Sequence, residues 1–366
     1  MGAADRQGDN APVRNVATQK QAVVTPTQTH FILTAGPVDV NVTFFSPVEY
    51  EDVQRQSIPL SHISVTVGPN DGASHDVQLY MDITGEWASA QLDVPVRWGI
   101  NTTSGLRTWS TELVTQYKFG EWDDYPQWGQ AVFITTDDAS FLSGSDLEVR
   151  RQFVANGRLS NQNDENFRCA QCDWPTFGYA HNLTTISANS SKTVRYAVGH
   201  IREDNINLLE TAQKALWTHY WPNRSDMFRF FWDDFDGALT KANALDVKLL
   251  NEAFESEGQE HANIIAMSLR QAYGALEFSG NISYPLLYLK EISSNGNMQT
   301  VDVMYPASPM HYHLNYRYIQ YLLRPLFYQM ENGFWTQPFS IHDIGWHYPN
   351  ATGHANLEEE DMVSLV

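Results

Sequence analysis

No apolar run in this 366-residue chain approaches the roughly 20 residues that a membrane-spanning helix needs. Basic charge is equally scarce. Lys and Arg total 23 against 43 Asp and Glu, a formal net charge of −20 with no Lys/Arg cluster, which argues against nucleic acid or an anionic membrane as partner. There are only two cysteines, Cys169 and Cys172, spaced C-A-Q-C. A lone CxxC is weak evidence for zinc, and the pair reads as two partly buried thiols or a local disulfide, not at the strand-to-helix start of a thioredoxin-like redox pair. G-x-S-x-G elbow, Walker loop, dinucleotide fingerprint and H-E-x-x-H are all missing, which removes serine-elbow hydrolases, nucleotide enzymes and zincins as leading ideas. The opening residues, MGAADRQGDNAPVRNV, lack the apolar core of a secretory signal, and Arg6 stands where a myristoylation pattern wants Ser or Thr.

Aromatic residues, by contrast, are abundant at 13%, while charged residues make up 18%, the composition of a packed globular protein with room for about two domains. Residues 1–27 read as a loose lead-in. From 28 to about 156, TFFSPVEY, HISVTVG, DVQLYMDITGEW, VTQYKFGEW and QAVFITT alternate or are rich in β-branched and aromatic types, with turn clusters at 68–74 and 101–105. Together with TVRYAVGH near 200 they predict an antiparallel β-sandwich over 28–202. After 203 the period changes. Ile206, Leu209, Ala212 and Leu216 fit a helix, and so do 235–258 and 259–278, with Gly258 as the turn of an αα-hairpin. RYIQYLLRPLFYQMEN adds another helix, kinked or started at Pro325. N-x-S/T sequons occur at Asn41, Asn101, Asn182, Asn189, Asn223, Asn281 and Asn350. Chance supplies about half of such a number, so the excess mildly favours a secretory history.

The stretch 290–362 mixes costly polar groups with Trp, Tyr, Phe and Pro, as a partly desolvated pocket does. It holds KEISSNGNMQTVDV at 290–303, P-A-S-P at 306–309 and HDIGWHYPNATGH at 342–354. These blocks resemble the fungal glutaminase A family. So do FFSPV at 44–48, RQSIPLS at 55–61, FGEW and W-G at 119–129, WPTFG at 174–178 and D-G-A-L-x-x-A-x-x-L-D at 236–246. The resemblance runs from about Gln28 to Met362. It implies a multidomain β + α chain: an N-terminal β-sandwich followed by a six-hairpin, glycosidase-type (α/α)6 toroid over 203–366. It also implies an extracellular or cell-wall setting and hydrolysis of L-glutamine to L-glutamate and ammonia. Two departures stand out: family members start with a signal peptide and an extra segment, and they continue well past the E-x-M step. Twelve toroid helices need on the order of 300 residues. The expectation is therefore an incomplete toroid, truncated at both ends, with apolar helix faces left uncovered.

Asp343, between Ile341 and Ile344, is the first candidate acid or base, with His342 beside it. The alternative is a turn aspartate satisfied by backbone amides. Asp302, in an apolar strand-like segment 300–305, is the next catalytic candidate. Ser294, Asn295 and the motif's Tyr348 are candidates for hydrogen-bonding substrate. Arg270, with Gln271, suits a bidentate grip on an α-carboxylate, or else a structural salt bridge. Glu360 or Asp361, in the acidic run 358–361, offers a second carboxylate of the kind that flanks substrate in six-hairpin glycosidases, or a solvated charge run. His311 and His313 alternate without a third ligand, so neither metal nor cofactor is expected. The rival readings are a carbohydrate-active toroid enzyme and a catalytically dead remnant with a sugar-binding sandwich; the expected partner is a small molecule, L-glutamine or a carbohydrate.

Overall fold

A computed structural model describes residues 15–291 and 295–353. Its first half is built on a nine-stranded antiparallel sheet. In spatial order the strands are Thr18–Val24, Gln28–Ala35, Val38–Phe45, Leu60–Pro69, Lys192–Ile201, Gln130–Thr136, Leu106–Leu113, Pro95–Thr103 and Arg168–Cys169. Against one face packs a three-stranded sheet of Ser140–Ser145, Pro175–Ile186 and His75–Thr84. Trp109, Phe133 and Tyr196 from the large sheet meet Phe177, Tyr179 and Ile186 from the small one, all buried. The backbone N–H of Trp109 donates to Tyr179 Oη across the two layers at 3.0 Å.

The other face of the large sheet is covered as well. Helix Arg224–Asp233 lays Phe228, Phe231 and Trp232 against Leu60, Val132, Ile134 and Ala197. A strand covered on both faces loses the polar side of its alternation, so QAVFITT reads as a continuous apolar run.

The helical part opens with Phe235–Glu257 and Gln259–Gly274, joined at Gly258, whose φ of +83° suits a residue without a side chain. A β-hairpin, Leu276–Asn281 with Tyr284–Leu289, follows, and then helices Val301–Leu314 and Arg317–Glu331. Leu249, Leu269, Leu287, Tyr288, Tyr318 and Leu326 form their shared core. No closed toroid is present among the described residues. Tyr305, Tyr312 and Tyr328 on the last two helices and Tyr316 between them are exposed, and no helix among the described residues is long and apolar enough to cross a membrane.

Several local expectations are overturned. Residues 203–221 are not a helix but strands Asp204–Leu208 and Thr211–Lys214 followed by one short turn, Trp217–Tyr220. The reversal is made by Leu209 and Glu210, both at positive φ, and Asn207–Leu208 pairs in parallel with Asn350–Ala351. Helical spacing after 274 also fails: Leu276 begins a strand. Segment 300–305 is the first turn of a helix that runs through Pro306 and Pro309. The Tyr305 carbonyl, which Pro309 cannot bond, accepts the Ser308 hydroxyl at 2.7 Å. Residues 114–120 are a turn, because the strand ends at Leu113. Within the supposed lead-in, Thr18–Val24 is the edge strand of the large sheet. Cys169 and Cys172 form a disulfide, and it does lie at a strand-to-helix junction, Arg168–Cys169 into Ala170–Asp173.

Candidate functional site

The segment from Ile341 to Ala351 has almost no regular structure, yet backbone hydrogen bonds lace it to residues 296–301. Val301 N–H donates to His342 O, Ile344 N–H to Met298 O, Met298 N–H to Gly345 O and Tyr348 N–H to Gly296 O. Gly345 permits the close pass: a Cβ there would stand 2.0 Å from Asn350 O.

This lacing brings three of the sequence candidates together. Asp343 is fully buried. Its Oδ1 accepts from Gly345 N–H at 2.9 Å, and its Oδ2 faces Asn297 Nδ2 at 3.1 Å and His342 Nδ1 at 2.9 Å. The His342 ring is three-quarters buried, and its Nε2 lies 3.7 Å from Oδ1 of Asp302, a half-exposed carboxylate in the first turn of helix Val301–Leu314. A carboxylate facing Nδ1 sets the imidazole's tautomer and aim, and leaves Nε2 as the nitrogen able to take a proton. Asp343 itself is too enclosed to meet a substrate water. Its bond from Gly345 N–H matches the turn reading of this aspartate, while the role of acid or base that the sequence suggested for it passes to its neighbour, His342. Asn295 is exposed, with its Oδ1 accepting from Asn297 N–H. Ser294, Glu360 and Asp361 lie outside the described residues.

Arg270 does not stand ready for a carboxylate. Its guanidinium donates to Thr25 O and Gln28 O at 3.0 Å and to Thr29 Oγ1 at 2.9 Å, clamping its helix to the first strands of the sandwich. Gln271 points to solvent. Sequence reasoning saw the right residue type there but not its partners, which are backbone carbonyls more than 240 positions away.

A cavity of about 560 Å³ lies between sandwich and hairpins, and Arg270, Tyr348, Arg202, Glu277, Lys290 and His200 are among its lining residues. Arg202, with a side chain only 9% exposed, donates from Nη2 to both Glu277 oxygens at 2.8 and 2.9 Å and to Tyr348 Oη at 2.5 Å. Tyr348 Oη in turn donates to Glu277. Trp128 and Tyr348 each hold a ring 5.4 Å from the guanidinium carbon, and Gly129, at φ +94°, leaves room for the Arg202 stem. Burial works against the Arg202 charge, but Glu277 and Tyr348 outweigh it and its pKa rises. Burial likewise raises the Tyr348 hydroxyl. Burial pushes His200 down to about 3, with Arg202 adding to the effect, so this ring stays neutral near pH 7. Burial also lowers Lys290, against the pull of Asp124 and with the push of Arg202. Of this network the sequence motifs pointed to Tyr348 alone. Lys290 opens a motif block and so carried a signal, whereas Arg202 and Glu277 lie outside every block.

One further cluster joins the two halves. Glu121 and Asp124, on the small hairpin Glu121–Trp122/Tyr125–Pro126, and His347 bring ligand-type atoms within 4.8 Å of one another, with His347 Nδ1 3.1 Å from Asp124 Oδ1. Two carboxylates and an imidazole are donors suited to a divalent cation. His311 is buried against Tyr273 and Tyr318, and His313 is 3.1 Å from Glu252. Of the sequons, Asn101, Asn182, Asn189, Asn223 and Asn281 are exposed. Two are not suited to carry a glycan. Asn41 lies within the sheet with its Oδ1 buried, and Asn350 is held by Asn207 and by donation to Phe119 O.

Residues 27–252 match a domain of unknown function, DUF5127, and residues 258–364 match the glutaminase A six helical-hairpin domain. Among curated proteins, the chain is 32% identical over 362 residues to a protein named glutaminase A from Aspergillus oryzae, covering 96% of this chain and 52% of that one. It is 33% identical over 347 residues to a probable glutaminase from Arthroderma benhamiae, covering 90% of this chain and 40% of the relative. The chain thus spans about half the length, or less, of these relatives.

Proposed function

The chain belongs to the glutaminase A family, and from that premise we propose that it carries a glutaminase-like amidohydrolase site, converting L-glutamine and water to L-glutamate and ammonia. The observation that supports this most is the buried Asp343 carboxylate 2.9 Å from His342 Nδ1, with Nε2 turned towards Asp302. In this reading His342 Nε2 removes a proton from water as the oxygen adds to the side-chain amide carbon. The C–N bond then breaks, and the same proton passes from Nε2 to the departing nitrogen. Asp343 positions the ring, and Asp302, close to Nε2, stabilises the imidazolium formed between the two steps. No metal or cofactor enters this scheme.

The reading includes a secretory route. A disulfide at Cys169–Cys172 and five exposed sequons both suit an oxidising, glycosylating compartment. The activity is tested by measuring ammonia release from L-glutamine by the purified chain, with L-asparagine as comparison. Release selective for glutamine is expected. A folded chain that releases none, or that releases reducing sugar from fungal glycans instead, defeats the proposal.

A further inference from the structure

The cavity between sandwich and hairpins has an unusual charge for this molecule. The whole chain carries −20, yet the cavity is lined by three cations, Arg202, Arg270 and Lys290, against the single carboxylate of Glu277. Glu277 pairs with Arg202, which leaves the other two cations bonded to groups that carry no charge. Arg270 bonds only backbone carbonyls and a hydroxyl, and Lys290 Nζ donates to the backbone carbonyl of Asp124. Arg202 uses one nitrogen for Glu277 and Tyr348, while its Nε and Nη1 are buried with no hydrogen-bond partner. Buried guanidinium N–H groups without acceptors are costly, so an added acceptor here is favoured. The remaining wall is mixed. Ser57 and Ser61 offer hydroxyls, and Phe44 and Trp217 offer apolar surface for a short carbon chain. A planar, two-oxygen anion fits a guanidinium fork better than a spherical one does.

We propose that this cavity is a binding site for a small carboxylate, an amino acid or short dicarboxylate, anchored on Arg202 and supported by Lys290. The site is separate from the His342–Asp343 pair, which does not line the cavity, and it does not rest on the amidohydrolase reading. Lys290 keeps its charge beside Arg202 at a cost, since burial and its cationic neighbour both lower its pKa. An arriving carboxylate relieves that cost.

The test is calorimetric titration of the whole chain with L-glutamate and glutarate. Glutaramide serves as the uncharged isostere and inorganic phosphate as the non-carboxylate anion. Saturable binding of glutarate or L-glutamate is expected, with glutaramide and phosphate far weaker. Removing the charge-assisted anchor in Arg202→Gln weakens carboxylate binding roughly 10- to 100-fold. Because that change also strips Glu277 of its partner and threatens the fold, Lys290→Gln is measured alongside. It leaves the Arg202–Glu277–Tyr348 contacts in place and should still weaken binding several-fold. Absence of saturable carboxylate binding overturns the proposal. So does equal affinity for glutaramide, binding of phosphate alone, or an unchanged affinity in folded Lys290→Gln. Ammonia release, followed on the same samples, keeps the two readings apart. Carboxylate binding without turnover leaves the cavity site standing and removes the amidase; turnover with a carboxylate affinity that Lys290→Gln leaves unchanged does the reverse.

Discussion

Changing Asp343 to Asn probes the proposed site at its least exposed point. The aspartate accepts from Gly345 N–H, Asn297 Nδ2 and His342 Nδ1. An asparagine keeps one acceptor oxygen, which stays on Gly345, and places an NH2 where Oδ2 was. Asn297 adapts by turning its amide oxygen inward. His342 cannot keep a hydrogen on Nδ1 against that NH2, so its proton moves to Nε2 and the nitrogen facing Asp302 loses its lone pair. The shape of the site survives and its basicity does not. Turnover should fall about 10³- to 10⁴-fold, the size of effect seen when the orienting carboxylate of an acid–imidazole pair becomes an amide. Stability should fall by only about 1–2 kcal/mol, the difference between charge-assisted and neutral hydrogen bonds. Asp343→Ala, by contrast, strands two buried donors and should cost about 3–5 kcal/mol. Three readouts check this: ammonia release from L-glutamine, thermal unfolding, and imidazole ¹⁵N shifts, which report the tautomer directly. The reasoning is refuted if folded Asp343→Asn keeps turnover within about threefold of the parent, or if the ¹⁵N shifts show the hydrogen still on Nδ1.

His62 stacks on Phe231 at 3.8 Å, and burial, with Arg195 adding, lowers its pKa from 6.5 to about 3. The unfolded chain therefore binds this proton first, so the stability held above pH 6.5 is lost as pH falls from 6.5 towards 3, by up to about 5 kcal/mol. Denaturant melts across that window should be visibly flatter for His62→Phe than for the parent, and parallel curves would contradict the assignment. Asp246, on helix Phe235–Glu257, accepts from Thr25 Oγ1, Thr27 N–H and Oγ1, and Gln28 Nε2. Asp246→Ala should lower stability by about 3 kcal/mol and speed proteolysis near residue 25, with Asp246→Asn intermediate; an unchanged cleavage rate would count against it. Expressed through a glycosylating secretory host, the chain should carry glycans on some of the five exposed sequons but none on Asn350, and peptide mass spectrometry showing Asn350 modified would be incompatible with its contacts to Asn207 and Phe119.

Where a segment's neighbours impose one periodicity, its sequence was readable. Leu60–Pro69 buries alternate residues over much of its length, and the helices on either side of Gly258 carry long apolar stripes. Segment 203–221 was not readable, because Ile206, Leu209 and Leu216 satisfy a helical spacing while Ile206 and Leu208 also satisfy alternation. The choice falls to partners distant in sequence: the pairing with Asn350–Ala351 and the burial of Asn205 against Ser279 and Phe278. VDVMY alternates like a strand, but packing draws it into a helix that runs on through Pro306 and Pro309. The site divides the same way. His342 and Asp343 are adjacent in sequence and visible as a motif, whereas Arg202, Glu277 and Tyr348 come together only through the fold.

That division has a physical basis in the segment 342–350 itself. Five residues lie between the imidazole aimed at Asp302 and the tyrosine bonded to Arg202, and one of them, His347, faces Asp124 of the sandwich. Loops place side chains less accurately than helices or strands unless something else holds them. Here the holding is done by four backbone bonds to residues 296–301, by the two-residue strand Asn350–Ala351, and by the pass at Gly345 that admits no side chain. Each such buried bond is worth only about 0.5–1.5 kcal/mol, but they act on one short stretch, so it cannot shift at one end without straining the other. The acid–imidazole pair and the cationic cavity are thus two ends of one tied segment. Without that lacing, the polar residues of the motif would form a flexible turn with no fixed aim.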